Sequence, residues 1–206
     1  MRTWIATAVI AGTLASPVYT QGLSAGDRQR LLAHLEMTES WLVSEIDGLA
    51  TEQLKFRMTP ASWSIMDVVE HLAVAEAQYW AQLQKSVAQP PSGKKPEATD
   101  AAILWYGIDR TSRATTGEAR VPKGRWNDVR DSLAEFRKQR AAMRDYATKT
   151  TDDLRSRMLI DGNMDVYQWF LMISSHSQRH ILQVREIKAH SSYPKKTGPP
   201  ATTPGR

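Results

Sequence analysis

Residues 165–189 read DVYQWFLMISSHSQRHILQVREIKA, and their spacing decides the class of the fold. Val166, Trp169, Ile173, Val184 and Ile187 recur at helical intervals, which places them on one face of a single long helix. Asp161, Gly162 and Asn163 mark a turn before this run, and the helix continues to about His190, after which the chain becomes proline-rich. Two polar residues share the apolar stripe: His176 and His180, four residues apart.

Three more stretches carry the same period. Leu31, Leu35, Thr38, Leu42, Ile46 and Leu49 predict a first helix over roughly 27–48, with Asp27 as its cap. Pro60 bars a helix from entering the next segment, and Ser64-Ile65-Met66-Asp67 has the form of a capping box. A second helix therefore runs from Ser64 to about Val87, with Ile65, Val68, Leu72, Ala75, Tyr79 and Leu83 inward. A third begins near Trp126 or Asn127 and turns Val129, Leu133, Phe136, Arg140, Met143 and Ala147 to one side. The second and third helices are separated by a Pro/Gly/Ser-rich loop from Gln89, a short amphipathic piece at 101–113, and a further loop around Gly117, Pro122 and Gly124. Four amphipathic helices with no alternating strand pattern predict an all-α four-helix bundle, in which the long connection between helices two and three permits a crossover.

Composition narrows the function. The chain has 206 residues, 41% hydrophobic and 24% charged, enough for one domain with its own core. It has no cysteine, which excludes disulfides, thiol nucleophiles and thiolate metal ligands. The net charge is +5, but Lys94, Lys95, Lys195, Lys196 and Arg206 lie in Pro/Gly-rich segments beside no nucleic-acid motif, so no nucleic-acid partner is expected. The first twenty residues, MRTWIATAVIAGTLASPVYT, place Arg2 before an uncharged run from Trp4 to Ala15. That is the pattern of a signal peptide over 1–20, with cleavage after Thr20 preferred to cleavage after Ala15, and it predicts a secreted or periplasmic protein. The run is shorter than the roughly 18 to 20 residues that span a bilayer, so no permanent membrane anchor is expected. The polar, proline-rich residues 191–206 predict a disordered tail, which leaves the domain at 27–190.

Residues at i and i+4 on a helix lie about 5 to 6 Å apart at Cβ, close enough for two imidazoles to share one divalent ion. His71 falls three after Val68 and four before Ala75, on the apolar face of the second helix. Buried imidazoles need partners for both ring nitrogens, and a shared cation satisfies three acceptors at once. Three nitrogen ligands with no obvious fourth would leave a coordination position open for water or substrate. Neutral imidazoles favour Zn²⁺, Ni²⁺, Fe²⁺ or Mn²⁺ over Ca²⁺ and Mg²⁺. Spacing alone leaves two readings open, metal ligands or core histidines satisfied by other partners.

WSIMDVVEHL at 63–72, PKGRW at 122–126 and the run at 165–189 together resemble the DinB/YfiT-like superfamily of metalloenzymes, across most of residues 27–190. The resemblance implies a four-helix bundle binding a divalent metal through one histidine of the second helix and an H-x-x-x-H pair of the fourth, here His71, His176 and His180. It also implies a small-molecule substrate. The superfamily includes transferases and an isomerase that use a low-molecular-weight thiol, together with many members of no assigned activity. The apparent signal peptide sets this chain apart, since such thiols are maintained in the cytoplasm.

Other residues carry weaker signals. Arg140, on the inward stripe of the third helix, reads as a salt-bridged core residue or as an anchor for an anionic substrate. Gln183, three after His180, reads as a residue that orients a ligand imidazole or as an interhelical hydrogen-bond partner. Glu70, Glu76 and Arg179 read as surface or packing residues, His34 as a helix-surface histidine rather than a fourth ligand, and Trp63 as packing at a helix start. Tyr79, Trp80, Trp105 and Tyr106 read as core before pocket mouth. The expected function is that of an exported metal-dependent hydrolase or thiol transferase, with a non-catalytic metal- or ligand-binding module of the cell envelope as the alternative. A homodimer is compatible with a bundle of this size but no residue demands one.

Overall fold

The computed structural model describes residues 22–112, 115–160 and 162–195. The expected signal peptide at 1–20 and the expected tail from 196 onward lie outside them. Four long helices form the bundle: α1 (Ala25–Ile46), α3 (Ile65–Val87), α5 (Val129–Lys149) and α6 (Val166–Lys188). Two short helices, α2 (Thr51–Lys55) and α4 (Asp100–Tyr106), and a 3₁₀ turn at Glu118–Arg120 lie in the connections. Among the described residues there is no strand, only one isolated bridge between Met158 and Asp165, and no helix is long and apolar enough to cross a membrane.

The helix ends follow the sequence at α3 but not at α1, where Ser24, not Asp27, is the cap and accepts from the Asp27 amide (3.1 Å). At α3 the Ser64 amide donates to Asp67 Oδ2 (2.7 Å) and the Asp67 amide to Ser64 Oγ (3.2 Å), the reciprocal pair expected of the capping box. Asp165 caps α6 by accepting from the Gln168 amide (2.7 Å). Asp128 caps α5, two or so residues later than the sequence placed its start. The five-residue α2 is too short to show a period and was not expected.

Neighbour relations are not those of a simple up-and-down bundle. α1 packs mainly on α5 and α6, and α3 packs on the same two, so α1 and α3 face each other across the diagonal. Side-chain pairs fix the directions. Glu45 meets Arg185 and Lys188, which makes α1 parallel to α6, and Glu76–Arg140 with Trp80–Tyr146 makes α3 parallel to α5. Parallel neighbours cannot be joined by a tight hairpin, so residues 88–128 must travel back along the bundle. On the way α4 lies against α6, and the 3₁₀ turn lies against α3. Gly107, capping α4, permits the close approach: a Cβ there would sit 2.9 Å from the Ser175 carbonyl oxygen.

The core forms two apolar clusters, one around Leu35, Leu83, Met143, Phe170 and Ile173, the other around Leu42, Val68, Leu72, Phe136 and Val184. Between them, at mid-height, lies a polar layer. Arg140, fully buried, donates to Glu76 (2.6 Å), Ser177 (2.7 Å), Thr38 (3.0 Å) and the Leu35 carbonyl (3.3 Å). One side chain therefore ties all four long helices together. Ser191 to Lys195, assigned to the tail by composition, are described against α2: Tyr193 packs edge-on to Phe56, and Gln53 donates to the Pro194 carbonyl (3.0 Å).

Candidate metal centre

α3 and α6 run antiparallel through the polar layer and bring His71 against His176 and His180. His71 and His176 are buried, and His180 is half-buried. The ring nitrogens converge: His176 Nε2 lies 3.2 Å from Nε2 of His71 and 3.2 Å from Nε2 of His180. All three candidate ligand atoms fall within 4.8 Å of one another.

The remaining nitrogens decide which lone pairs face inward. His71 Nδ1 donates to the Arg120 carbonyl oxygen (2.8 Å), which leaves its Nε2 as an acceptor. His180 Nδ1 lies 2.8 Å from Gln183 Oε1 and donates to it, which fixes the same tautomer. Two inward lone pairs thus meet at His176, whose Nε2 can offer at most one proton. His176 Nδ1 is buried and has no hydrogen-bond partner. The donor set is poorly satisfied by its own protons and well matched to a divalent cation, which accepts from all three rings.

Burial also keeps the rings neutral. His176 is held well below the usual histidine value by burial and then by the charge His180 and His71 would carry. His180 is pushed down to about 3, chiefly by burial and then by His71. His71 is lowered by burial as well. Neutral imidazole is the form that ligates a metal.

The triad opens on a cavity of about 410 Å³. Trp63 covers one side, 4.9 Å from the His71 ring and stacked near-parallel to His180 at 6.1 Å. Tyr79 stands edge-on to His176 at 5.3 Å. The connection 88–128 forms the outer wall through Tyr106, Arg110, Ser112, Thr115, Thr116 and Arg120. Glu186 is the only carboxylate among the described lining residues, and it is paired with Arg110.

The other sequence candidates separate by position. Gln183 meets His180 from the next turn of the same helix, through the hydrogen bond between His180 Nδ1 and Gln183 Oε1, and not as an interhelical partner. Arg140 does not line the cavity, because its terminal nitrogens are spent on the four-helix node; its place is that of the salt-bridged core residue, not the substrate anchor. His34 is half-buried rather than a surface histidine, paired through Nδ1 with Ser174 (2.7 Å) and through Nε2 with Gln178 (3.2 Å), and it is not in the metal cluster. Tyr79 and Tyr106 line the cavity, Trp80 packs against Tyr146 and Phe170, and Trp105 is exposed.

Glu70, Glu76 and Arg179 are not surface residues but buried fasteners. Glu70 accepts from the amides of Lys123 (2.7 Å) and Arg125 (3.1 Å) and from the Arg125 guanidinium, which anchors the loop beyond the Arg120 carbonyl. Arg179 donates to the carbonyls of Tyr106, Asp109 and Ser112 and holds the far end of the wall. Trp63, Arg110, Arg120 and Glu186 are among the lining residues that sequence reasoning missed. The WS dipeptide before the capped helix was the one available pointer to Trp63, whereas Arg120 lies in a loop with no period to read.

Comparison with known proteins agrees with this architecture. The family model of the DinB superfamily matches residues 26–184. An uncharacterized protein, YuaE of Bacillus subtilis, is 24% identical over 157 residues, covering 73% of this chain and 91% of YuaE. Among solved structures, YfiT from Bacillus subtilis, described as a probable metal-dependent hydrolase with an unusual four-helix bundle topology, is similar with a TM-score of 0.53 and 16% identity, over 82% of this chain and 89% of YfiT. The match to YfiT is a match of fold. With its helices, crossover and histidine cluster all placed, the chain belongs to the DinB superfamily.

Proposed function

We propose that His71, His176 and His180 hold one divalent metal ion and that the protein is a metal-dependent hydrolase acting on a small molecule, exported by its N-terminal segment. The observation that carries this reading is the convergence of three Nε2 atoms in a buried polar layer, two of them fixed as acceptors by Arg120 and Gln183. Bound there, the ion supplies Lewis acidity and lowers the pKa of a coordinated water toward neutrality. The chain's own groups supply the rest. Arg120 and Gln183 orient the imidazoles, Trp63 and Tyr79 shield them, and the 88–128 wall encloses the substrate volume. The absence of any carboxylate among the described residues of the cluster favours a borderline ion, Zn²⁺, Ni²⁺, Fe²⁺ or Mn²⁺. The description of YfiT as a probable metal-dependent hydrolase supports hydrolysis over transfer to a thiol. Export rests on Arg2 and the apolar run Trp4–Ala15.

The test is reconstitution of protein purified without a histidine tag. Co²⁺ is expected to give visible d–d absorption in the wild type that disappears in His176→Ala and His180→Ala. The metal-loaded wild type should cleave activated esters or amides at least about tenfold faster than the metal-free protein. Cleavage that proceeds equally in both alanine variants would rule the hydrolase reading out.

A further inference from the structure

We propose that the cavity takes a substrate bearing a single carboxylate, held by Arg120 at the end of the molecule opposite the bond to be cleaved. The position of that bond rests on the metal reading above; the carboxylate anchor does not.

The lining is cationic and its charges are unequally engaged. Arg110 is closed off by Glu186, with two contacts of 2.5 and 2.7 Å. Arg179 adds positive charge, but its terminal nitrogens are occupied by three backbone carbonyls. Arg120 makes one long side-chain hydrogen bond, to Gln78 Oε1 at 3.4 Å, and among the described residues no carboxylate lies within ion-pair reach of it. Its guanidinium therefore keeps a fork of donors free, the geometry that matches the two oxygens of a carboxylate.

Position adds to availability. The guanidinium carbon lies 5.4 Å from the centre of the Tyr79 ring, whose edge-on partner is His176 at 5.3 Å. Tyr79 thus forms a floor running from the arginine to the histidines. The Arg120 carbonyl oxygen is also the acceptor for His71, so the anchor and the triad are held in register by a single residue. A cavity of about 410 Å³ lies within the range of small-molecule sites. Among the described residues, one uncommitted guanidinium suits a monoanion; a phosphate dianion would call for a second free donor group, which Arg110 and Arg179 do not offer.

Benzoate binding, followed by tryptophan fluorescence and calorimetry, tests the anchor, with benzamide as the uncharged isostere and inorganic phosphate for comparison. Metal-free protein is used first, so that no ion can hold the carboxylate, and Zn²⁺-loaded protein second. Benzoate is expected to bind at least about tenfold more tightly than benzamide or phosphate. Arg120→Gln should remove about tenfold or more of that affinity, and Arg120→Lys part of it. Lys123→Gln, an equal change of charge on the same loop but outside the cavity, should leave it within about threefold. Arg120→Gln keeps the backbone carbonyl that orients His71, so its Zn²⁺ content should equal that of the wild type. Equal affinity for benzoate and benzamide, tighter binding of phosphate, or unchanged benzoate affinity in both folded Arg120 variants would overturn the proposal. Failure of the metal reading would instead appear as no Zn²⁺ uptake by the wild type, with the metal-free benzoate results unaltered.

Discussion

His180 is an ordinary amino acid in an extraordinary dielectric position, and its neighbours determine what it can do. Burial holds its pKa near 3, against 6.5 for a free histidine. A folded-state value below the unfolded one means that the unfolded chain binds the proton more tightly. The stabilisation of the neutral fold is therefore complete above about pH 6.5 and is lost as the pH falls from there toward 3. In metal-free protein, urea unfolding should show His180→Gln losing less stability than the wild type between pH 7 and pH 5, by about 2 kcal/mol. Equal losses would show that His180 is protonated in the folded state. At this scale the sequence was informative wherever face arithmetic applies: His71, His176, His180 and Gln183 could all be placed by counting along a helix. Arg120 and the buried state of Glu70 could not, because both depend on a loop folding back onto α3.

Among the elements, the decisive contact is the node of Thr38, Glu76, Arg140 and Ser177, one residue from each long helix. Burial raises the Glu76 carboxyl and the Arg140 charge opposes that rise, so the pair is balanced only while both members are present. Arg140→Met, which leaves Glu76 buried without its partner, is expected to cost about 3 to 5 kcal/mol in denaturant unfolding. Adding Glu76→Leu to it should recover most of the loss. A single variant as stable as the wild type would remove the node from the account of the fold. The four long helices and the Ser64–Asp67 cap were readable from periodicity and capping chemistry. Which helices neighbour which was not, since an apolar stripe records that a face is buried but not what covers it. For the same reason Arg140 on an inward stripe was compatible with two roles until α1, α3 and α6 were seen to enclose it.

For the molecule as a whole, the crossover is what makes a site out of a bundle. Parallel packing of α3 on α5 sends residues 88–128 along the outside, where Glu70 and Arg179 fasten the chain at two points. That connection closes the cavity over the triad and brings the Arg120 carbonyl to His71. Its length could be read from the sequence, but its path could not. The central claim, that the three histidines form one metal site, is tested most directly by the metal content of protein purified without a tag, together with its thermal unfolding with and without chelator. One divalent ion per chain is predicted, with a transition that falls on chelation and is restored by the ion; the His71→Ala, His176→Ala and His180→Ala variants should show neither uptake nor response. A wild type that takes up no ion and unfolds at the same temperature with and without chelator would contradict the account.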